Sequence, residues 1–411
     1  MKILLSAYAC EPGKGSEPGV GWNWAQALVR RGYRVHVLTR GNNRPAIEAD
    51  AHGRHERLTF SYYDLPAWAR AAKHWPGGIY FYYLFWQLAA FRLAKKLHAR
   101  ENFDLVQHST FASYRQPSFM GGLGIPFIFG PVGGGETMPP QFHAGIPAAG
   151  RAAEFVRDLG NTLLAWDPLM RHTYARAHTI ACTTAETLAR IPRRHRDRCI
   201  VQPAIGIDCA VDAGRNGAHR QAQFLFVGRL LYWKGLHLVL RALADVRRAV
   251  PDANLKIVGQ GSDRAWLESV AREAGIADAV EWIVTMGHDQ VQQEFRRSTA
   301  LVFPSLHDSG GMVVLEALAA GAPVVCLDLG GPGAIVTPSC GVVVGTRNAS
   351  EAAVIAALSR AMTLLATDAE FRARLAANAV PRARESSWDG AAEAVYSSLD
   401  IAQIPAMDAA R

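Results

Sequence analysis

Short apolar, β-branched runs alternate with helical stretches twice over along this chain, and that alternation constrains the fold more than any other feature. The first series covers residues 2–6, 35–39, 58–63, 105–108, 127–129, 179–183 and 200–202, and the second covers 224–227, 255–258, 280–284, 300–303, 324–327 and 342–344. Such runs separated by helices build parallel sheets covered on both faces, so two doubly wound α/β domains are expected. Residues 210–223 between the series are polar and aperiodic and read as a linker. The division is therefore a first domain over 1–205, a linker over 206–222, a second domain over 223–385 and a final segment over 386–411. At roughly 100 to 200 residues per domain, 411 residues give each half its own core. Open sheets of this type bind ligands beyond the carboxyl ends of their strands, which places the chemistry on the following loops, in a cleft between the halves.

Composition narrows the partners. Apolar residues at 49% and charged residues at 19% exclude a disordered chain. The net charge of +8 is uneven: residues 1–205 hold 25 Lys+Arg against 14 Asp+Glu, leaving 19 against 22 for the rest. The first half thus suits an anionic neighbour such as a membrane surface, a charged lipid or nucleic acid, although 37 Arg against seven Lys also fits simple codon bias. Six scattered cysteines without a Cys-x-x-Cys pair favour a reducing cytoplasm over a disulfide framework. The opening residues read as a first buried strand rather than a secretory signal. The longest apolar stretch, 79–91, is too short to span a bilayer. Its aromatics precede Arg92, Lys95, Lys96 and Arg100, which suits a helix lying among lipid headgroups, and a buried core helix fits the same residues.

In the first domain, strand one runs into Glu11-Pro12-Gly13-Lys14-Gly15-Ser16-Glu17-Pro18-Gly19. Two prolines interrupt the glycine spacing, and Arg40 stands where a dinucleotide site has an acidic ribose ligand, which argues against nicotinamide or flavin. What remains is a glycine loop at a helix N-terminus that can bring backbone N–H groups to a ligand. His108 ends the fourth run and would set a titratable ring at the strand edge facing the cleft, though a lone histidine is as often structural. The loop Gly130-Pro131-Val132-Gly133-Gly134-Gly135-Glu136 implies close backbone approach to a ligand or a tight turn.

The second domain is more specific. Gly228-Arg229 follows a strand and Lys234-Gly235 precedes a helix, giving two cations at a strand edge that suit a diphosphate. Further on, Ser305-Leu306-His307-Asp308-Ser309-Gly310-Gly311-Met312-Val313-Val314-Leu315-Glu316 turns from a strand into a helix whose free N–H groups favour an anion. Asp308 in the loop and Glu316 inside the helix can then serve different parts of one ligand.

These residues closely resemble the retaining nucleotide-sugar glycosyltransferases of family four, which have the GT-B fold. The family's Glu-x7-Glu signature has its second Glu at Glu316, with Asp308 at the first position, and Arg229 and Lys234 match its diphosphate-binding pair. The resemblance covers the second domain, including 258–262 and 330–332, and weakens in the first. It also covers the end, where Ser386-Ser387-Trp388 opens a helix that would cross back to the first domain. It implies two Rossmann-like domains facing a central cleft, and a transferase that moves a sugar from a nucleoside-diphosphate donor with retention, in polysaccharide or glycolipid assembly.

By this resemblance Glu316 would bind the ribose hydroxyls, Arg229 and Lys234 the diphosphate, and the Gly311 and Met312 backbone the donor phosphate or sugar. Asp308 and His108 would contact the donor sugar. Gly310, Val313, Gly15, Gly259, Gly261 and Met286 complete the expected donor site, with Gly133, Gly134 and Glu136 on the acceptor side. No Asp-x-Asp occurs in the chain, so no metal and no cofactor are expected, the two cations and the helix N–H groups stabilising the leaving diphosphate instead. The partners are then a nucleotide sugar and a carbohydrate or lipid-linked acceptor, with no nucleic acid, in the cytoplasm and at the inner face of its membrane. A sugar-nucleotide epimerase or a non-catalytic sugar-nucleotide binder would use the same second-domain residues.

Overall fold

The structure, a computed structural model, describes residues 1–71, 73, 75, 77–111, 113–163, 167–208, 222–397 and 399. Most of the expected linker and the last residues of the final segment lie outside these.

All thirteen apolar runs form strands, each within three residues of its expected bounds. They are β1 (Lys2–Ala7), β2 (Arg34–Thr39), β3 (Leu58–Tyr62), β4 (Leu105–Thr110), β5 (Phe127–Val132), β6 (Thr179–Cys182) and β7 (Cys199–Val201), then β8 (Gln223–Val227), β9 (Asn254–Val258), β10 (Val280–Ile283), β11 (Ala300–Phe303), β12 (Val324–Leu327) and β13 (Gly341–Val344). The first seven form one parallel sheet in the order β3-β2-β1-β4-β5-β6-β7, and the other six form a second in the order β10-β9-β8-β11-β12-β13. Central strands are apolar at nearly every position because helices cover both faces, as in Ala300–Phe303 and Val324–Leu327, where every residue is buried. Each sheet reverses its direction of winding once, between β1 and β4 in the first and between β8 and β11 in the second. The loops at such a reversal diverge to opposite faces and leave a crevice at the strand ends.

The chain divides into two compact units. One holds Met1–Gly135, Asn161–Ile205 and the end of the chain from Trp388; the other holds Glu136–Gly160 and Gly206–Ser387. The segment Glu136–Gly160, read from sequence as part of the first domain, thus packs with the second sheet. No single helix among the described residues is long and apolar enough to cross a membrane.

In the first unit, the aromatic run opens the helix Gly78–Glu101, which buries one face and exposes the other. Tyr82, Tyr83, Trp86, Ala90 and Ala94 recur at near four-residue spacing and enter the core against Leu4, Tyr8 and Phe129. Phe81, Phe85 and Leu88 face outward, 68%, 58% and 38% exposed.

The helix Trp388–Ser397 belongs to this unit, where it lies against Ser16–Arg30. Trp388 is buried, and the Tyr396 hydroxyl donates to Gln107 Oε1 (2.6 Å), which also accepts from the Trp24 indole (2.9 Å). Arg30 pairs with Asp389 in solvent at 2.9 Å. Burial rather than charge should therefore hold this helix. Trp388→Ala is expected to lower the urea midpoint of the first unit, at a cost of roughly 3–5 kcal/mol. Asp389→Ala should cost no more than about 1 kcal/mol in the same titration.

Candidate active site

The reversal in the second sheet sets β8 beside β11, with Leu225 opposite Leu301, and so brings the loop after each strand together. The Leu306 N–H donates to the Trp233 carbonyl at 2.7 Å, and the Ser305 hydroxyl reaches the same oxygen at 3.2 Å. Gly235 makes this approach possible: it has φ +72°, and a Cβ there would lie 1.9 Å from the Pro304 carbonyl oxygen. Lys234 next to it donates to Asp308 Oδ2 at 2.5 Å, both side chains being 18% exposed, while its ammonium sits 5.2 Å from the Phe303 ring centre. Asp308 Oδ1 accepts from the Gly310 N–H (3.2 Å), and its carbonyl accepts from Gly331 (2.7 Å). The loop thereby delivers Gly311, at φ +83°, as the N-cap of the helix Met312–Ala319.

Around this centre, the Arg229 side chain is exposed just past β8, and Met312, Val313 and Glu316 are half-buried on the helix. Burial raises the Glu316 carboxyl above its ordinary value, and nearby His288 only partly opposes this. Met286 lies half-buried two residues before the helix His288–Arg297. Gly259 and Gly261 have a structural reason to be glycine, since a Cβ on either would fall about 2 Å from the carbonyl of Gly228 or Leu230 (1.9 and 2.2 Å). Their backbones brace the Arg229 loop, with Leu230 N–H donating to Gln260 at 3.0 Å. Among the described residues, no three or more His, Cys, Asp or Glu side chains gather as a metal cage.

Two expectations need correction. Glu136, placed on the acceptor side of the first domain, lies in the second unit, buried, where its carboxylate accepts the Ser309 hydroxyl. His108 does not face solvent at a strand end. β4 continues to Thr110, so the ring enters a helix-covered face, fully buried, with the Gln87 amide 3.3 Å from Nδ1 and the Tyr83 hydroxyl 3.1 Å from Nε2. Burial pushes its pKa down to about 3, which keeps the enclosed imidazole neutral. The other first-unit candidates are loop residues. Gly15 is exposed at the start of Ser16–Arg30, Gly133 bridges to Ser113, and Gly134 adopts φ +93°.

Sequence reasoning missed a buried polar network behind Asp308. Glu154, on the helix Ala148–Leu163, accepts the Tyr232 hydroxyl (2.8 Å) and lies 2.9 Å from His307 Nε2. Burial works to raise its carboxyl, but the His307 and Tyr232 bonds and the Arg157 charge outweigh this and hold it below its ordinary value. Arg157 donates to His307 Nδ1 (2.9 Å) and to the Glu136 carbonyl (2.5 Å). His307 was legible as a neighbour of Asp308. Glu154 carried no signal, because a carboxylate among Arg and Ala on an amphipathic helix reads as solvated.

Comparison with known proteins fits this geometry. The family model described as Glycosyltransferase Family 4 matches residues 20–209, and the model described as Glycosyl transferases group 1 matches residues 213–381. The chain is 36% identical over 174 residues to a glycogen synthase of Mycobacterium tuberculosis, covering 42% of this chain and 41% of that one. It spans about half or less of the length of the first curated relatives it matches. Among solved structures, WaaG, a glycosyltransferase involved in lipopolysaccharide biosynthesis, superposes with a TM-score of 0.59 at 17% identity, over 96% of this chain and 99% of that one. The Escherichia coli structure described as trehalose-6-phosphate bound with UDP-2-fluoro glucose gives 0.66 at 15% identity, over 98% and 99%. With a family match on each half and two parallel sheets of the corresponding architecture, the chain belongs to the family-four glycosyltransferases of the GT-B fold.

Proposed function

We propose that the protein transfers a sugar, with retention, from a nucleoside-diphosphate donor to a carbohydrate or lipid-linked acceptor in polysaccharide or glycolipid assembly. The observation that carries this reading is the meeting of Lys234 and Asp308 beside the N-terminus of Met312–Ala319 where the second sheet reverses, with Arg229 exposed on the same loop as Lys234. Breaking a nucleotide–sugar bond puts negative charge on the diphosphate and positive charge on the sugar ring. Arg229, Lys234 and the helix N–H groups stabilise the first, and the Asp308 carboxylate faces the second. Lys234 holds Asp308 until phosphate oxygens take its N–H donors, which frees the carboxylate for the sugar. Glu316, further along the helix, accepts the ribose hydroxyls. The E. coli neighbour named above carries a UDP-sugar, which supports a donor of this class.

The acceptor reading rests on the first unit. Phe81, Phe85 and Leu88 continue along one exposed helix face into Arg92, Lys95 and Lys96, apolar at one end and cationic at the other. This is the pattern of a helix that sinks aromatics among acyl chains while its cations meet anionic headgroups. It supports a location at the inner face of the cytoplasmic membrane.

Calorimetry of UDP, GDP and ADP with EDTA present tests the donor site. One nucleotide should bind, and Glu316→Ala and Arg229→Ala should each weaken it about tenfold or more, or about 1.4 kcal/mol. Failure of all three to bind the folded protein would refute the reading. The affinity should also fall as pH drops through the raised Glu316 pKa, because the carboxylate accepts a hydroxyl on each oxygen, more strongly than the protonated acid accepts on one. Stability moves the other way: the folded state holds this proton more tightly than the unfolded chain, so the Glu316 contribution declines as pH rises through the interval between the two pKa values. Glu316→Gln should flatten both profiles. For the membrane face, the triple variant F81S/F85S/L88S should lose flotation with anionic vesicles, and unchanged flotation would count against it.

A further inference from the structure

Asp308 is held from both sides by its neighbours in sequence. His307 and Ser309 turn their side chains toward the segment Glu136–Gly160, while Asp308 turns toward Lys234. His307 is 8% exposed and stacks on Trp233 at 5.5 Å between ring centres, with 18° between their planes. Its tautomer follows from its partners. Arg157 has only donors to offer, so Nδ1, 2.9 Å from Nη1, must accept. The ring proton then sits on Nε2 and points at Glu154 Oε1, 2.9 Å away, which the Tyr232 hydroxyl approaches at 2.8 Å. Glu154 is 2% exposed.

We infer that Glu154 and His307 are positioning residues for Asp308, fixing where its carboxylate meets the donor sugar; this rests on the transferase reading above. Burying a carboxylate is costly, and apolar side chains of similar volume would close the same space at no loss of stability. What a directional network adds is orientation. Each bond has one donor and one acceptor, so the imidazole has a single orientation and the backbone of residue 307 a single path. The next residue is an aspartate, one methylene shorter than glutamate, and its reach depends on where its backbone sits. Tyr232 and Trp233 lie in the same loop as Arg229 and Lys234, so the network also ties the sugar-facing carboxylate to the phosphate-facing cations.

The test measures release of nucleoside diphosphate from UDP-, GDP- and ADP-sugars by the full chain, with calorimetry of the matching nucleotide and thermal melting. His307→Phe keeps the stack on Trp233 and removes both nitrogen bonds; His307→Gln retains an N–H able to reach Glu154. Glu154→Ala removes the acceptor. His307→Phe and Glu154→Ala should lower kcat about 10- to 100-fold, as a misplacement of about 1 Å does. Nucleotide affinity should stay within about twofold, and His307→Gln should recover most of the loss. In the Asp308→Asn background, His307→Phe should cost nothing more, since the group it positions is already gone. Unchanged kcat in His307→Phe, a full additional loss on top of Asp308→Asn, or nucleotide affinity and melting temperature falling in step with kcat would overturn the positioning role while leaving the transferase reading intact. A folded wild type that neither binds a nucleotide nor releases one would overturn the transferase reading, and the positioning role with it.

Discussion

The adjacency of β8 and β11 is the constraint on which the second unit depends. The chain winds outward through β8, β9 and β10 and then returns to the other side of β8, so the loops after β8 and β11 emerge side by side. Arg229 and Lys234 lie on one of those loops, Asp308 and the start of Met312–Ala319 on the other. The adjacency also imposes a cost, because two loops in contact bury backbone polar groups that must find partners. The bonds from Leu306 and Ser305 to the Trp233 carbonyl and from Leu230 to Gln260 supply them. Gly235, Gly259 and Gly261 stand where a side chain would strike a carbonyl of the facing loop. A glycine near a phosphate-binding loop is easily assigned to the ligand, but here three of them first serve protein-to-protein contact.

Charge in this unit is arranged by depth. Lys234 and Asp308 are mostly shielded, close enough to neutralise each other, yet each keeps an edge toward solvent. Glu154, behind them, is enclosed, and the His307 and Tyr232 bonds and the Arg157 charge hold its carboxyl below its ordinary value. Glu316, buried and only partly offset by His288, is displaced toward protonation. Three carboxylates on one loop and two helices therefore sit in three different electrostatic settings, set by burial and partners and not by residue type.

The sheets were legible because a strand covered on both faces must be apolar throughout, and runs of that kind have few other uses. The meeting of Lys234 with Asp308 was legible for a related reason: both lie in short loops after adjacent strands, so spacing along the chain translates into proximity. His108 misled because its strand runs two residues further than its apolar core, and a ring taken for the strand's end belongs to the interior. Glu136 and Glu154 were illegible for a deeper reason. Their segment leaves the first sheet and packs with the second, through polar bonds between residues more than 70 positions apart (78 for Tyr232 and Glu154). Periodicity reports which face of an element is buried but not which sheet buries it.

That segment also fixes the loop that carries Asp308. A loop held only by its flanking strand and helix has freedom at its centre, where Asp308 sits. Here residues 307 and 309 are tied to 154 and 136, the Asp308 carbonyl is tied to Gly331, and Lys234 takes the carboxylate, so the centre of the loop is its most constrained part. Glutamate at position 308 would have a longer and more mobile reach, needing less from its surroundings. With aspartate, the position of the carboxylate is set almost entirely by backbone, and the partners that define this backbone come from a stretch of chain that precedes the second sheet by some 60 residues or more (from Gly160 to Gln223). The shorter side chain and the borrowed segment are thus two parts of one solution: precision lost by shortening the acid is recovered by bracing the loop that carries it.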